Sequence, residues 1–102
     1  MSYKLRFHEQ AWKEWQRLDA TIREPLRRKL LERLQQPRVA QAALHGMPNC
    51  YKIKLQSLGY RLIYRVDEAE LFVTAIANGQ RGKNRVYQTA LHRLQEPTPP
   101  YP

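Results

Sequence analysis

One cysteine, Cys50, stands in 102 residues. An internal disulfide is excluded, and so is a zinc site built on cysteines. Long apolar runs are missing as well. The longest stretch without a charged side chain is Val39–Tyr51, 13 residues, whereas a membrane helix takes roughly 20. Lys4, Arg6 and Glu9 precede any apolar run, so no secretory signal is visible. His8, His45 and His92 are scattered and form no motif. Acids are scarce: nine Asp and Glu face eighteen Lys and Arg, giving a formal charge of +9. So few carboxylates do not suit a metal cage, and neither a metal nor a cofactor is expected. Leu, Ile, Val and Phe supply 23 of the 102 residues, just above the roughly 20% below which a highly charged chain stays disordered. One small, folded, soluble and cytoplasmic domain is therefore expected, with no membrane partner.

The basic residues are unevenly placed. Between Glu32 and Asp67 there is no acid, yet Arg33, Arg38, Lys52, Lys54, Arg61 and Arg65 fall there. Between Glu70 and Glu96 there is again none, and Arg81, Lys83, Arg85 and Arg93 fall there. The first 32 residues are mixed, with five acids among eight bases. A single-sign field over the second half concentrates phosphate-rich partners and speeds encounter with them. A solvated basic surface kept for solubility is the plainer reading.

The periodicity predicts the elements. Tyr3–Phe7 alternates apolar and basic, as a half-buried strand does. Ala11, Trp12, Trp15 and Leu18 recur at helical spacing over 9–18. A break follows, with Asp19 or Thr21 as cap, and a second helix runs to Gln36. Either its regular part begins at Pro25 or its first turn is irregular, because proline suits only the first turn. Pro37 marks the stop. Residues 38–49 read as a loop with Gly46, Pro48 and Asn49. Three strands follow, over 51–55, 60–66 and 71–77, the last apolar enough to be central. Asn78-Gly79 opens a polar loop through Arg85, and a short helix covers about 84–94. Residues 1–94 form the domain, and 95–102, with four prolines in the last six residues, form an extended or disordered tail. The order β-α-α-β-β-β-α implies an α+β domain with an antiparallel-rich sheet, helices on one sheet face led by the α-hairpin, and a short C-terminal helix.

Alternation places Lys52 and Lys54 on one face and Tyr51, Ile53 and Leu55 in the core. If 56–59 closes a hairpin, Leu55 pairs with Tyr60 and Lys54 lies across from Arg61. Like charges placed so are destabilising. Lys52 and Arg65 extend the patch, and a polyanion lying across it explains such a cluster better than stability does. The competing reading is a solvent-facing strand whose long stems splay apart. RNA cleavage by a 2′-hydroxyl needs a base, charge stabilisation at the phosphorane, and help for the leaving 5′-oxygen. With no histidine motif, lysine and arginine remain. A lysine crowded by like charges loses its proton more readily, which points to Lys54 beside Lys52 and Arg61. Arginine stays protonated, so Arg61 and Arg81 suit stabilisation.

At these residues the chain resembles the RelE-type toxins of bacterial toxin–antitoxin pairs, in the RelE/ParE superfamily. The resemblance covers residues 1–94 and lies in Lys13-Glu14-Trp15, in Leu44-His45-Gly46-Met47-Pro48-Asn49-Cys50-Tyr51-Lys52-Ile53-Lys54-Leu55, and in Gly59-Tyr60-Arg61-Leu62-Ile63-Tyr64. It continues in Gly79-Gln80-Arg81 and Val86-Tyr87. It implies a metal-independent, ribosome-dependent mRNA endoribonuclease that cuts codons in the ribosomal A site. Its partners are then mRNA, the ribosome with its 16S rRNA, and an antitoxin that wraps the domain and displaces or remodels the helix carrying Tyr87. By the same resemblance Lys52 and Lys54 share the base and phosphate-binding work. Arg61 stabilises the transition state, Arg81 stands at the leaving oxygen, and Tyr87 orients or stacks on the nucleotide. From the basic field itself, Arg65, Lys83, Arg85 and His45 are expected to bind RNA, and Arg28 and Lys29 on the second helix to attract ribosomal RNA. His45 stands where the family often has a basic residue, which makes phosphate binding there weaker or pH-dependent. The proline-rich tail is an addition to the family pattern. Two other functions fit the basic face: a toxin of the same fold that inhibits DNA gyrase without catalysis, and a plain RNA-binding module.

Overall fold

The computed structural model describes residues 2–80 and 85–95. Its elements run β1 (Lys4–Phe7), α1 (Glu9–Arg17), α2 (Ala20–Gln35), a 3₁₀ turn (Ala40–Ala42), β2 (Cys50–Leu55), β3 (Tyr60–Asp67), β4 (Phe72–Gln80) and α3 (Arg85–Leu94). The sheet order is β1-β4-β3-β2, so β4 is interior, as its apolar sequence requires. β1 runs parallel to β4, and the other two pairings are antiparallel. The β-α-α-β-β-β-α order and the antiparallel-rich sheet follow the sequence reading.

The α-hairpin buries Ala11, Trp15, Leu26 and Leu30 against one sheet face, where Ile53, Leu55, Leu62, Tyr64, Val66, Val73 and Ala75 meet them. α3 packs on the opposite face, over Ile63, Ile76, Ala77 and Cys50. This corrects the expectation that the helices share one face. The reason is in β4, which is apolar on both sides. Nine residues of β4 oppose eight of β3: Ile63 pairs with Ala77 and Tyr64 with Ala75, so Ile76 is an extra, bulged residue. The bulge turns Ile76 and Ala77 together toward α3.

Other boundaries differ for local reasons. His8 caps α1, its Nδ1 accepting from the Gln10 N–H at 3.0 Å. α2 starts at Ala20 with Asp19 in the capping position, so Pro25 lies inside the helix, where the Thr21 carbonyl loses its usual donor. Asn78-Gly79 does not open a loop. It continues β4, with Asn78 opposite Leu62 and Gly79 opposite Arg61. The Asn78 side chain donates to the Ala11 carbonyl at 3.1 Å, which holds this stretch extended. The start of the last helix at 84 and the tail from 96 onward lie outside the described residues.

Candidate active site

The β2–β3 hairpin builds the basic face. Gly59 adopts φ +69°, and its N–H donates to the Leu55 carbonyl at 2.8 Å, which closes the 56–59 turn. The register then sets Leu55 opposite Tyr60, Lys54 opposite Arg61, Lys52 opposite Ile63 and Cys50 opposite Arg65. The expected Lys54–Arg61 juxtaposition is thus present. Tyr51, Ile53 and Leu55 are buried, while Lys52, Lys54, Arg61 and Arg65 are half-buried on the other face.

α3 delivers the aromatic. Val86 and Ala90 anchor it in the second core, and Tyr87 packs at the core's rim. Gly79 lies beneath this helix, where an added Cβ would meet Val86 Cγ2 at 3.4 Å, an ordinary van der Waals contact. The Arg61 Nη1 donates to the Tyr87 hydroxyl at 2.8 Å, and its guanidinium carbon lies 5.3 Å from the ring centroid. Tyr87 is therefore both a packing residue and a polar partner of Arg61. At the far end of β2, opposite Arg65, Cys50 is buried, which pushes its thiol up to about 11 against the opposing pull of the Arg65 charge.

A groove of about 970 Å³ opens along the outer edge of β2. Lys29 and Arg33 from α2 line it together with Lys52 and Lys54. The Lys29 ammonium lies 3.4 Å from the Lys54 carbonyl oxygen. Arg28 and Arg85 are exposed, and His45 is exposed in the loop before buried Met47. Arg81 and Lys83 lie outside the described residues. The structure thus gathers Lys52, Lys54, Arg61 and Tyr87 on one face, with Lys29 at its border.

Not every cation of the acid-free stretches stays in the field. Arg38 Nε pairs with Glu68 at 2.6 Å and holds that carboxyl below its ordinary range. Arg33, by contrast, donates to the neutral Tyr64 hydroxyl at 2.8 Å and keeps its charge on the groove. Arg93 grips Glu14 through both guanidinium nitrogens, at 2.9 and 2.7 Å. This last pair escaped the sequence reading. Its members are 79 positions apart, and no periodicity links them. Among the described residues, no three His, Cys, Asp or Glu stand together as a metal site, and no helix is long and apolar enough to cross a membrane.

Comparison with known proteins places this geometry. A family model described as the ParE toxin of the type II toxin–antitoxin system parDE matches residues 5–82. The mRNA interferase toxin RelE of Escherichia coli K12 is 48% identical over 94 residues, 92% of this chain and 99% of the relative. The free-state structure of an arginine-to-alanine variant of E. coli RelE superposes with a TM-score of 0.86 at 47% identity, covering 92% of this chain and 99% of that one. The intact E. coli RelBE toxin–antitoxin complex gives 0.78 at 48% identity, over 80% and 100%. Near-complete coverage of the relatives, at nearly half identity and on the same fold, leads to one conclusion: the chain belongs to the RelE/ParE family of toxins from type II toxin–antitoxin systems.

Proposed function

We propose that this chain is a ribosome-dependent mRNA endoribonuclease that cuts codons in the ribosomal A site, acts in the cytoplasm and is neutralised by a RelB-like antitoxin. The observation that carries the reading is the cation cluster of Lys52, Lys54 and Arg61 with the Tyr87 hydroxyl 2.8 Å from Arg61, in a chain 48% identical to an mRNA interferase. A gyrase inhibitor has no need of such a set.

The chemistry follows from the side chains. Lys52 and Lys54 share two tasks: one, as the neutral amine, takes the proton of the attacking 2′-hydroxyl, and the other, as the ammonium, neutralises the phosphate. Arg61 stabilises the charge on the phosphorane. Tyr87 orients the nucleotide, and Arg81 serves the leaving 5′-oxygen. Arg65, Lys83, Arg85 and His45 hold flanking phosphates. Arg28 and Lys29 dock on 16S rRNA, Lys29 at the mouth of the groove it shares with Lys52 and Lys54. Among the described residues, no histidine or carboxylate joins Lys52, Lys54, Arg61 and Tyr87 to transfer protons, so the ribosome must supply substrate alignment. Alignment contributes roughly 7–11 kcal/mol in well-oriented systems.

Primer extension and single-turnover kinetics test the reading. Cuts inside in-frame codons of ribosome-bound mRNA, with slow cleavage of free RNA, are expected. Equal rates on both substrates overturn the ribosome dependence. Intact mRNA with supercoiling-defective DNA overturns the nuclease reading altogether. On antitoxin binding, hydrogen exchange over 85–94 should change, and unaltered protection there rules out inhibition through α3.

A further inference from the structure

The cleavage site rests on Tyr87 meeting Arg61, and α3 brings Tyr87 there. What fixes α3 is a separate question. Its buried apolar anchor is small, Val86 and Ala90, with Tyr87 and Leu94 only half-buried at the rim of the same core. Small side chains leave a helix free to slide or tilt by an ångström, and that is enough to separate a hydroxyl from a guanidinium.

The far end of α3 carries a second anchor. β1 pairs with β4 only from Phe72 to Ala75. Beyond that, the flank of β4 is filled by two side chains in place of a strand. The Asn78 N–H donates to Glu14 Oε1 at 3.2 Å. The carbonyl of Ile76, the bulged residue, accepts from Arg93 Nη1 at 3.0 Å. Glu14 and Arg93 then hold each other bidentately, and the Arg93 side chain is only 12% exposed. Glu14 belongs to α1 and Arg93 to the last turn of α3, and each also bonds to the backbone of β4. The Asn78 amide, bonded to the Ala11 carbonyl, ties the same stretch of β4 to α1.

We infer that Glu14 and Arg93 are positioning residues: their pair locks α3 to β4 and α1 and thereby holds Tyr87 on Arg61. Arg93 lies six residues beyond Tyr87, about 9 Å along the helix axis, so a helix released at Arg93 changes where Tyr87 sits. This inference rests on the reading of Arg61 and Tyr87 as parts of the cleavage site.

The test is a set of single-turnover measurements at saturating ribosomes, paired with ribosome affinities. Glu14→Ala and Arg93→Ala are each expected to slow cleavage about 10- to 100-fold, as small misplacements do, with affinity essentially unchanged. Glu14→Gln keeps the acceptor for the Asn78 N–H and should recover part of the rate. The deciding comparison uses the Tyr87→Ala background. There Glu14→Ala should slow cleavage no further, because its route runs through Tyr87. A fully multiplicative loss on that background, or no loss on the native one, overturns the inference. Hydrogen exchange reads the clamp without any cleavage: Glu14→Ala should deprotect 85–94 and leave the β2–β3 amides protected. Unchanged exchange in α3 sinks the clamp. A wild-type chain that cuts no mRNA while Glu14→Ala still frees α3 sinks the functional reading and spares the clamp.

Discussion

Tyr64 shows how much one side chain carries here. It is fully buried, its hydroxyl donates to the Pro37 carbonyl at 2.6 Å, and the same oxygen accepts from Arg33 at 2.8 Å. Tyr64→Phe leaves a carbonyl and a guanidinium without that oxygen. The expected cost is about 1–3 kcal/mol, read as a lower urea midpoint at constant slope. Cys50 gives a pH signature. Its folded value near 11 exceeds the ordinary 9.0. The unfolded state therefore loses its proton first, and stability falls as pH rises from about 9 toward 11. The thiol's contribution is intact below that window, and its loss amounts to at most about 3 kcal/mol. Denaturant titrations across pH should show a shallower alkaline decline for Cys50→Ala. Arg61→Ala should slow single-turnover cleavage about 100-fold, as loss of one strong donor does, and Tyr87→Phe should slow it less than Tyr87→Ala because the ring stays.

Among the elements, α2 carries a local conflict. Pro25 sits inside it, as its sixth residue. Pro25→Ala restores a donor for the Thr21 carbonyl and should raise stability by about 1–3 kcal/mol, measurable as a higher thermal midpoint. The hairpin was legible in advance because strict alternation in 51–55 and a turn ending in Gly59 leave one register that buries Tyr51, Ile53 and Leu55. The Lys54–Arg61 pair followed from that register. The end of β4 was not legible. Asn-Gly is a turn signal, and what keeps it extended comes from Glu14 and Ala11, 64 and 67 residues away. The face taken by α3 was hidden for a related reason, since a bulge breaks the period on which the face assignment depends. The roles of Arg38 and Arg93 were misjudged because a charge counted along the chain says nothing about partners folded in from elsewhere.

As a whole molecule, the chain is one sheet with two unequal cores, the larger under α1 and α2 and the smaller under α3. Its net charge of +9 makes association with any polyanion salt-dependent. Removing Arg28 and Lys29 together should weaken ribosome binding and flatten its log–log salt dependence by about two units of slope. The saturated cleavage rate should stay intact. A lower saturated rate would move those residues out of docking and into the chemistry. The bulged residue of β4 has a further consequence, for how this chain tolerates changes of length. A residue deleted elsewhere in an interior strand inverts every side chain that follows it. Deleting Ile76 leaves all eight β3 residues with their present partners, from Tyr60–Gln80 to Asp67–Phe72. The cations keep their face. What departs is one carbonyl under Arg93 and one apolar side chain beneath α3. A one-codon deletion, where a substitution would be the ordinary tool, should therefore spare the sheet and unseat its third helix.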